Sequence, residues 1–381
     1  MTSTRAPYYT EEHEQLRESV RRFVQREILP GIEAWEEAGE FPRELYGKAA
    51  ELGLLGLGFP EQYGGIPSDP FQRIVVTEEL ARAGSGGLLA GLMSHGIALP
   101  PIAALGSDEL KQRVIPDVLA GRKIAALAIS EPDGGSDVAS LRTIARRDGD
   151  HYVVDGSKTF ITSGMRADFV TVAVRTGGPG MGGLSLLVVE GDTPGFTRTP
   201  LTKMGWWCSD TATLYFDGCR VPVANLVGTE NHGFLGIMHN FNGERIAIAS
   251  MAIAFAQVCI DEAVDWAKQR VTFGKPLIGR QVIRHKLVDM AQQVESARAF
   301  LELVAWKVQQ GQWPVAEVCM LKNAATQCME HCAKEAVQIF GGAGYIRGAK
   351  VERIYRETKV LAIGGGAEEI MKELAAKQPG W

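Results

Sequence analysis

A chain of 381 residues is long enough for two or three domains with several hydrophobic cores, which excludes a miniature held together by disulfides or a metal. With 40 Lys+Arg against 45 Asp+Glu, a net charge of −5, 45% apolar and 22% charged residues, it has neither the basic excess of a nucleic-acid binder nor the composition of a disordered chain. Glycine is over-used, 44 residues or about 12% against a usual figure of about 7%, so tight turns or close approaches to a ligand are expected at individual glycines.

The first residues, MTSTRAPYYTEEHEQLRE, lack an apolar signal core, and six cysteines (Cys208, Cys219, Cys259, Cys319, Cys328, Cys332) show no CxxC pairing. Both features predict a reduced, cytoplasmic protein. From Thr10 to about Gly121 the pattern is helical. Leu16, Val20, Phe23, Val24 and Ile28 recur at spacings of three and four until Pro30-Gly31, and further helices are predicted around 43–53, 70–83 and 107–120. Between roughly 124 and 231 the period changes to two, as in Asp168 to Val174 and Leu184 to Val189. Asp155-Gly156 and Asp217-Gly218 read as turn pairs, which predicts a small antiparallel β domain. After Gly233 long helical patterns return. The apolar run Ile246 to Ile260 spans about 15 residues, short of the ~20 of a bilayer span, and Asp261 and Glu262 close it, so a core helix in a bundle or an oligomer interface is expected and no membrane is. Cys328 and Cys332 beside His331 mimic a metal cluster, but they fall one helical turn apart in an apolar run and read as buried thiols, with no metal. The expected architecture is mainly α with a central β domain: helical 1–122, β-barrel-like 123–232, and a four-helix bundle over 233–381.

Four segments could carry chemistry. Ile129 to Asp137 (ISEPDGGSD) is a loop rich in free N–H groups that suits a phosphate or a flavin edge, or is an ordinary turn. Lys158 to Gly164 (KTFITSG) ends a strand with an aromatic and hydroxyl residues. Gln269 to Lys275 (QRVTFGK) clusters cations at a helix end, as dipole compensation or a phosphate clamp. Gln338 to Gly344 (QIFGGAG) ends a helix in three glycines where one would cap it.

Taken together, their order and spacing over essentially the whole chain resemble the acyl-CoA dehydrogenase family. The Ser130-Glu131-Pro132 to Ser136-Asp137 loop, Phe160-Ile161-Thr162, Arg270 to Lys275 and Gln338 to Tyr345 each stand where the family has a signature. The resemblance implies that Leu127, Ile129, Ser130 and Ser136, with Phe160, Ile161 and Thr162, line the isoalloxazine of FAD, Phe160 stacked on one face and Thr162 near N5. Ser136 would also reach the pantetheine of acyl-CoA. It further implies that Arg270, Thr272, Phe273, Gln281, Gln338, Gly341 and Gly342 hold the pyrophosphate and adenosine, partly across a subunit boundary, in dimers commonly paired into tetramers.

The family's chemistry removes the α proton of an acyl thioester and passes the β hydrogen to flavin N5, which needs a carboxylate over Cα. Where many members carry that Glu, this chain has Gly365, within Gly364-Gly365-Gly366-Ala367. A minority carries it on a long helix as Glu-Arg-(Leu/Ile), and Asn242-Gly243-Glu244-Arg245-Ile246 matches that placement. Glu244 is therefore the expected base, its pKa raised by desolvation among apolar neighbours. The Gly365 N–H would still serve the enolate oxygen. Asn242, Arg245, Gly364 and Gly366 are expected to border the substrate. Ala367 and Glu369 fall on the FAD side, Ala367 lacking the hydroxyl that the family's Thr supplies. The implied partner is an electron-transfer flavoprotein. A flavin oxidase or monooxygenase on the same scaffold is the alternative enzyme, and a non-catalytic acyl-CoA- or flavin-binding paralogue the alternative without catalysis. Trp206-Trp207 either border a cavity or fill core.

Overall fold

The computed structural model describes residues 7–381, so part of the stretch read above for an apolar leader, residues 1–6, lies outside the described residues. The first helix, α1 (Glu11–Phe23), runs on through one π turn (Val24–Ile28) before Pro30, burying Val20, Phe23, Val24 and Ile28. Short helices follow: α2 (Ile32–Ala38), α3 (Glu44–Glu51), α4 (Pro70–Ala81), α5 (Gly86–Leu92), α6 (His95–Ala98), α7 (Pro100–Leu105) and α8 (Asp108–Leu119). Asp69 opens α4 with a reciprocal capping box to Gln72, ahead of Pro70 in the first turn.

Strands β1 (Ala125–Ala128), β2 (Ile144–Asp148), β3 (His151–Ile161), β4 (Phe169–Arg175), β5 (Leu184–Glu190), β6 (Phe196–Pro200), β7 (Ala212–Pro222) and β8 (Leu226–Val227) form one sheet in the order β6-β7-β3-β2-β4-β5-β8. Two details depart from the sequence reading. The sheet is not purely antiparallel, because β1 joins β4 in parallel from Ala125↔Phe169 to Ala128↔Val172. Nor are the two Asp-Gly pairs turns. They lie inside β3 and β7, where the register shifts between Val154 and Gly156, and Asp155 Oδ1 accepts from the Gly218 N–H at 2.8 Å. A side chain at Gly156 (φ +144°) would strike Thr143 Cα at 2.7 Å. The glycine thus makes a bulge rather than a turn, and the β2–β3 hairpin closes at Gly149-Asp150.

The last third is a bundle of α9 (Gly233–Gln269), α10 (Gln281–Gln309), α11 (Val315–Phe340) and α12 (Lys350–Ile363), followed by α13 (Glu368–Lys377). Helix α9 is 37 residues, longer than its apolar run, and is long and apolar enough to cross a membrane by length and composition. Here it is mostly buried, with Ala249, Ala252, Phe255, Ala256, Cys259 and Ala263 in the core. All six cysteines are free and buried. Helix α12 ties the chain's ends together. Arg353 pairs with Glu33 and reaches the carbonyls of Ala83 and Gly84, while the Glu357 carboxylate accepts from the N–H groups of Gly86 (2.7 Å) and Trp206 (3.0 Å). Trp206 is half-buried against the core cluster, and Trp207 lies between the guanidinium groups of Arg347 and Arg356.

Candidate active site

Three groups of residues assemble. The first joins the loop after β1 to the end of β3. Glu131 and Gly134 exchange backbone hydrogen bonds, closing the loop on itself. The Glu131 carboxylate turns inward and accepts from the backbone N–H groups of Arg142 (2.6 Å) and Thr143 (2.8 Å) and from Lys158 Nζ (2.9 Å). Burial pushes Glu131 up, but Lys158 and the other donors outweigh it and hold the carboxyl below its usual range. Lys158, fully buried, is pushed down to about 8 by desolvation and donates also to the Ile129 carbonyl. Thr159 N–H meets the Ser130 carbonyl at 2.9 Å. These bonds hold Ile129 and Ser130 against the end of β3, with Leu127 on β1 and Ile161 and Thr162 following Phe160, which is 71% exposed at φ +62° within a register shift of β3. An aromatic ring presented to solvent from a left-handed backbone is held there at a cost, as at ligand sites. Ser136 is exposed at the rim of the same loop.

The second group surrounds Glu244. Glu244 lies on α9 beside the turn that leaves α12. Its Oε2 is sealed from solvent and has no hydrogen-bond partner among the described residues. Desolvation pushes its carboxyl up to about 7, against the attraction of Arg245 and Lys322. Gly365 sits at φ +67°, and a Cβ placed there would lie 3.9 Å from Glu244 Oε1, so the two positions considered for a base converge on one spot. The turn is pinned by side chains. Arg245 Nε donates to the Gly365 carbonyl (3.1 Å) and its Nη1 to Asn242 Oδ1 (3.3 Å), Lys322 Nζ donates to the carbonyls of Ala362 and Gly366 (2.7 Å each), and Asn323 Nδ2 donates to the Glu368 carbonyl (3.0 Å). Among the described residues no acceptor takes the Gly365 N–H. Gly364 caps α12, Ala367 begins α13 and Glu369 is exposed in its first turn.

The third group gathers at the other end of the bundle. Arg270 caps α9, Thr272, Phe273 and Gln281 lie in and after the hairpin β9 (Val271–Thr272) and β10 (Lys275–Pro276), and Gln338, Gly341 and Gly342 end α11. Trp266 stacks on Phe340 at 4.7 Å, joining the ends of α9 and α11. Phe273 is 96% exposed at φ +49°, and Arg270, Gln281, Gln338, Gly341 and Gly342 are all exposed. At 1.5 Å per residue, Glu244 and Arg270 lie about 40 Å apart along α9. Within one chain the third group therefore lies far along α9 from Glu244.

Sequence reasoning missed Lys322, Asn323 and Ile248, and gave Glu131 and Lys158 no task. Lys322 had a signal: it shares the helix face of Val318, Ala325 and Met329, all buried, where a charge is out of place.

The chain matches three family models in order: the N-terminal domain of acyl-CoA dehydrogenase over residues 10–122, its middle domain over 126–219 and its C-terminal domain over 231–379. It is 38% identical over 372 residues to an acyl-CoA dehydrogenase of Bacillus subtilis (97% of this chain, 98% of that protein). It is 37% identical to the mitochondrial long-chain specific acyl-CoA dehydrogenase of Sus scrofa (97% of this chain, 87% of that one). Among solved structures, a probable acyl-CoA dehydrogenase from Mycobacterium abscessus superposes with a TM-score of 0.96 at 54% identity, covering 97% of this chain and 99% of that one. Agreement of this extent, end to end in both sequence and fold, makes the chain a member of the acyl-CoA dehydrogenase family of oxidoreductases.

Proposed function

We propose that the protein binds FAD and dehydrogenates an acyl-CoA thioester at its α,β bond, with Glu244 as the base. The observation that carries this reading is the Glu244 carboxylate: its Oε2 is buried with no hydrogen-bond partner among the described residues, it titrates near neutrality, and it lies against the Gly365 turn. A carboxylate near pH 7 with no committed partner is what abstraction of a weakly acidic α proton asks for. The Gly365 N–H, with no acceptor among the described residues, donates to the thioester oxygen as negative charge grows there. Arg245 holds the Gly365 carbonyl so that this peptide does not turn away, and Asn242, Gly364 and Gly366 border the same space.

The residues fit FAD. Bound there, it would supply the hydride acceptor. Phe160 and Thr162 would flank the ring and the loop from Ile129 to Ser136 would meet its edge, while Arg270, Gln281 and Gln338 would hold phosphate and adenosine. The ~40 Å along α9 exceeds the reach of one extended dinucleotide, so the site takes those last residues from a second copy of the chain. The exposed Phe273, Val282, Tyr345 and Ile346 near that end support a homo-oligomer, a dimer or a dimer of dimers. An electron-transfer flavoprotein is the expected acceptor of the electrons.

The test is anaerobic mixing of the yellow, FAD-bound protein with a series of CoA thioesters. One or more should bleach the flavin and yield the 2-enoyl product. A flavin that no thioester bleaches, or a purified protein that takes up no FAD, would overturn the proposal.

A further inference from the structure

We propose that Lys322 is a positioning residue for this reaction: from behind the turn that follows α12, its ammonium group holds the carbonyls on both sides of Gly365 and so keeps Gly365 against Glu244. The inference rests on the reading of Glu244 as the base. Lys322 is fully buried on α11 and donates to the Ala362 and Gly366 carbonyls at 2.7 Å each. Ala362 O belongs to the last turn of α12, where any donor could meet an orphan carbonyl. Gly366 O does not. It lies beyond the helix, one residue past Gly365, so the bridge between these two carbonyls fixes the turn itself. Arg245 takes the intervening Gly365 carbonyl from α9 and Asn323 takes the Glu368 carbonyl. With its carbonyls held by side chains of two helices, the turn has little freedom left.

The same ammonium bears on the base through its charge. Among the described residues no carboxylate lies within 4.0 Å of Lys322 Nζ, so its charge is not neutralised by direct pairing. Among the described residues the charged and titratable groups around Glu244 are Arg245 on its own helix, Lys322 and the Cys319 thiol on α11 and, beyond Lys322, Glu368 on α13. Arg245 and Lys322 both favour the ionised carboxylate, against the burial that opposes it.

Lys322→Met removes charge and donors while keeping length. In the FAD-bound variant, the acid limb of the flavin-reduction rate should move up by about one pH unit. The plateau rate should fall by up to about 10²-fold, the scale of a small misplacement of reacting groups. A measurement without turnover isolates the turn. Calorimetry compares binding of a 2,2-dimethylacyl-CoA, which has no α proton, with its thioether analogue, which has no carbonyl. The parent should prefer the thioester, and Lys322→Met should lose roughly tenfold of that preference as the Gly365 N–H drifts. Lys322→Arg, which keeps the charge, should return the limb to its parental position. If Lys322→Met does not fold, Lys322→Gln replaces it with the same expected shift. A variant that is merely less stable, with parental limb, plateau and preference, would overturn the proposal. Glu244→Gln is measured beside it: fast reduction there overturns the base assignment, whereas the thioester preference of Lys322→Met reports on the turn whatever the base is.

Discussion

Two fully buried lysines stand behind the two halves of the site, and they differ in one partner. Lys158, behind the loop from Ile129 to Asp137, meets the Glu131 carboxylate at 2.9 Å, and that acid is held below its usual range by this and other donors. Among the described residues Lys322, behind the Gly365 turn, meets only carbonyls, and the acid on its side, Glu244, has no hydrogen-bond partner for Oε2 and titrates near 7. Both lysines are themselves pushed down to about 8 by burial, so desolvation acts alike on the two regions. What separates the depressed carboxyl from the raised one is therefore whether the acid's oxygens are given donors.

The contrast breaks most visibly at Glu244. Glu244→Gln keeps size and hydrogen bonding but accepts no proton, so stopped-flow flavin reduction should slow by roughly 10²–10⁴-fold while FAD and acyl-CoA still bind. On the anchoring side, Lys158→Met leaves a buried carboxylate without its cation and should lower the unfolding free energy by roughly 3–5 kcal/mol in urea titrations. Because Glu131 is depressed in the folded state, its contribution is complete above the ordinary carboxylate pKa of about 4.3 and is lost as pH falls through the folded value. The parent should lose stability over that acid window more steeply than the variant. Glu244 carries the opposite sign. Its folded value of about 7 lies above the unfolded one, so the folded state is penalised increasingly from about pH 4.5 and fully above 7. Glu244→Gln should then be the more stable protein above pH 7, by up to about 3 kcal/mol, with the gap closing in acid; equal stability at pH 8 would sink the assignment of a raised pKa.

The smallest effect sharpens the geometry. Gly365→Ala must adopt φ +67° and press on Ile248 Cδ1, 2.6 Å from the new Cβ, and should cost about 1 kcal/mol in thermal or urea unfolding. For the same reason the exchange Glu244→Gly with Gly365→Glu should recover little activity, because the new side chain at 365 meets the same strain and the same Ile248 contact. Trimming Ile248 to Val in that double variant is the change that should raise it.

How much of this was legible in the sequence depended on how local each signal was. The segments at Phe160, Glu244, Arg270 and Gln338 each carry a short pattern, and the helical and strand periods placed them on the right elements. The Asp-Gly pairs misled because a hairpin turn and a bulge ask for the same residues. Only the cross-strand bond from Gly218 N–H to Asp155 tells them apart, and its partners are 63 positions apart. The parallel pairing of β1 with β4 skips an intervening hairpin and leaves no trace in either strand's period. Lys322 was visible as a charge on a buried helix face, but its acceptors lie 40 and 44 residues onward, in a turn whose path the sequence did not reveal.

Helix α12 has a consequence for how the chain is made. Arg353 and Glu357 complete contacts with residues 320, 271 and 151 positions earlier, so during synthesis the first helices and the Trp206 loop emerge long before the groups that satisfy them. A nascent chain stalled before Lys350 would hold Glu33, the Gly86 N–H and the Trp206 N–H without these partners, with the face that later receives α12 still open. Docking of these parts through α12 must wait until Lys350–Ile363 has been translated, so this helix acts as a late clasp on the segments made before it.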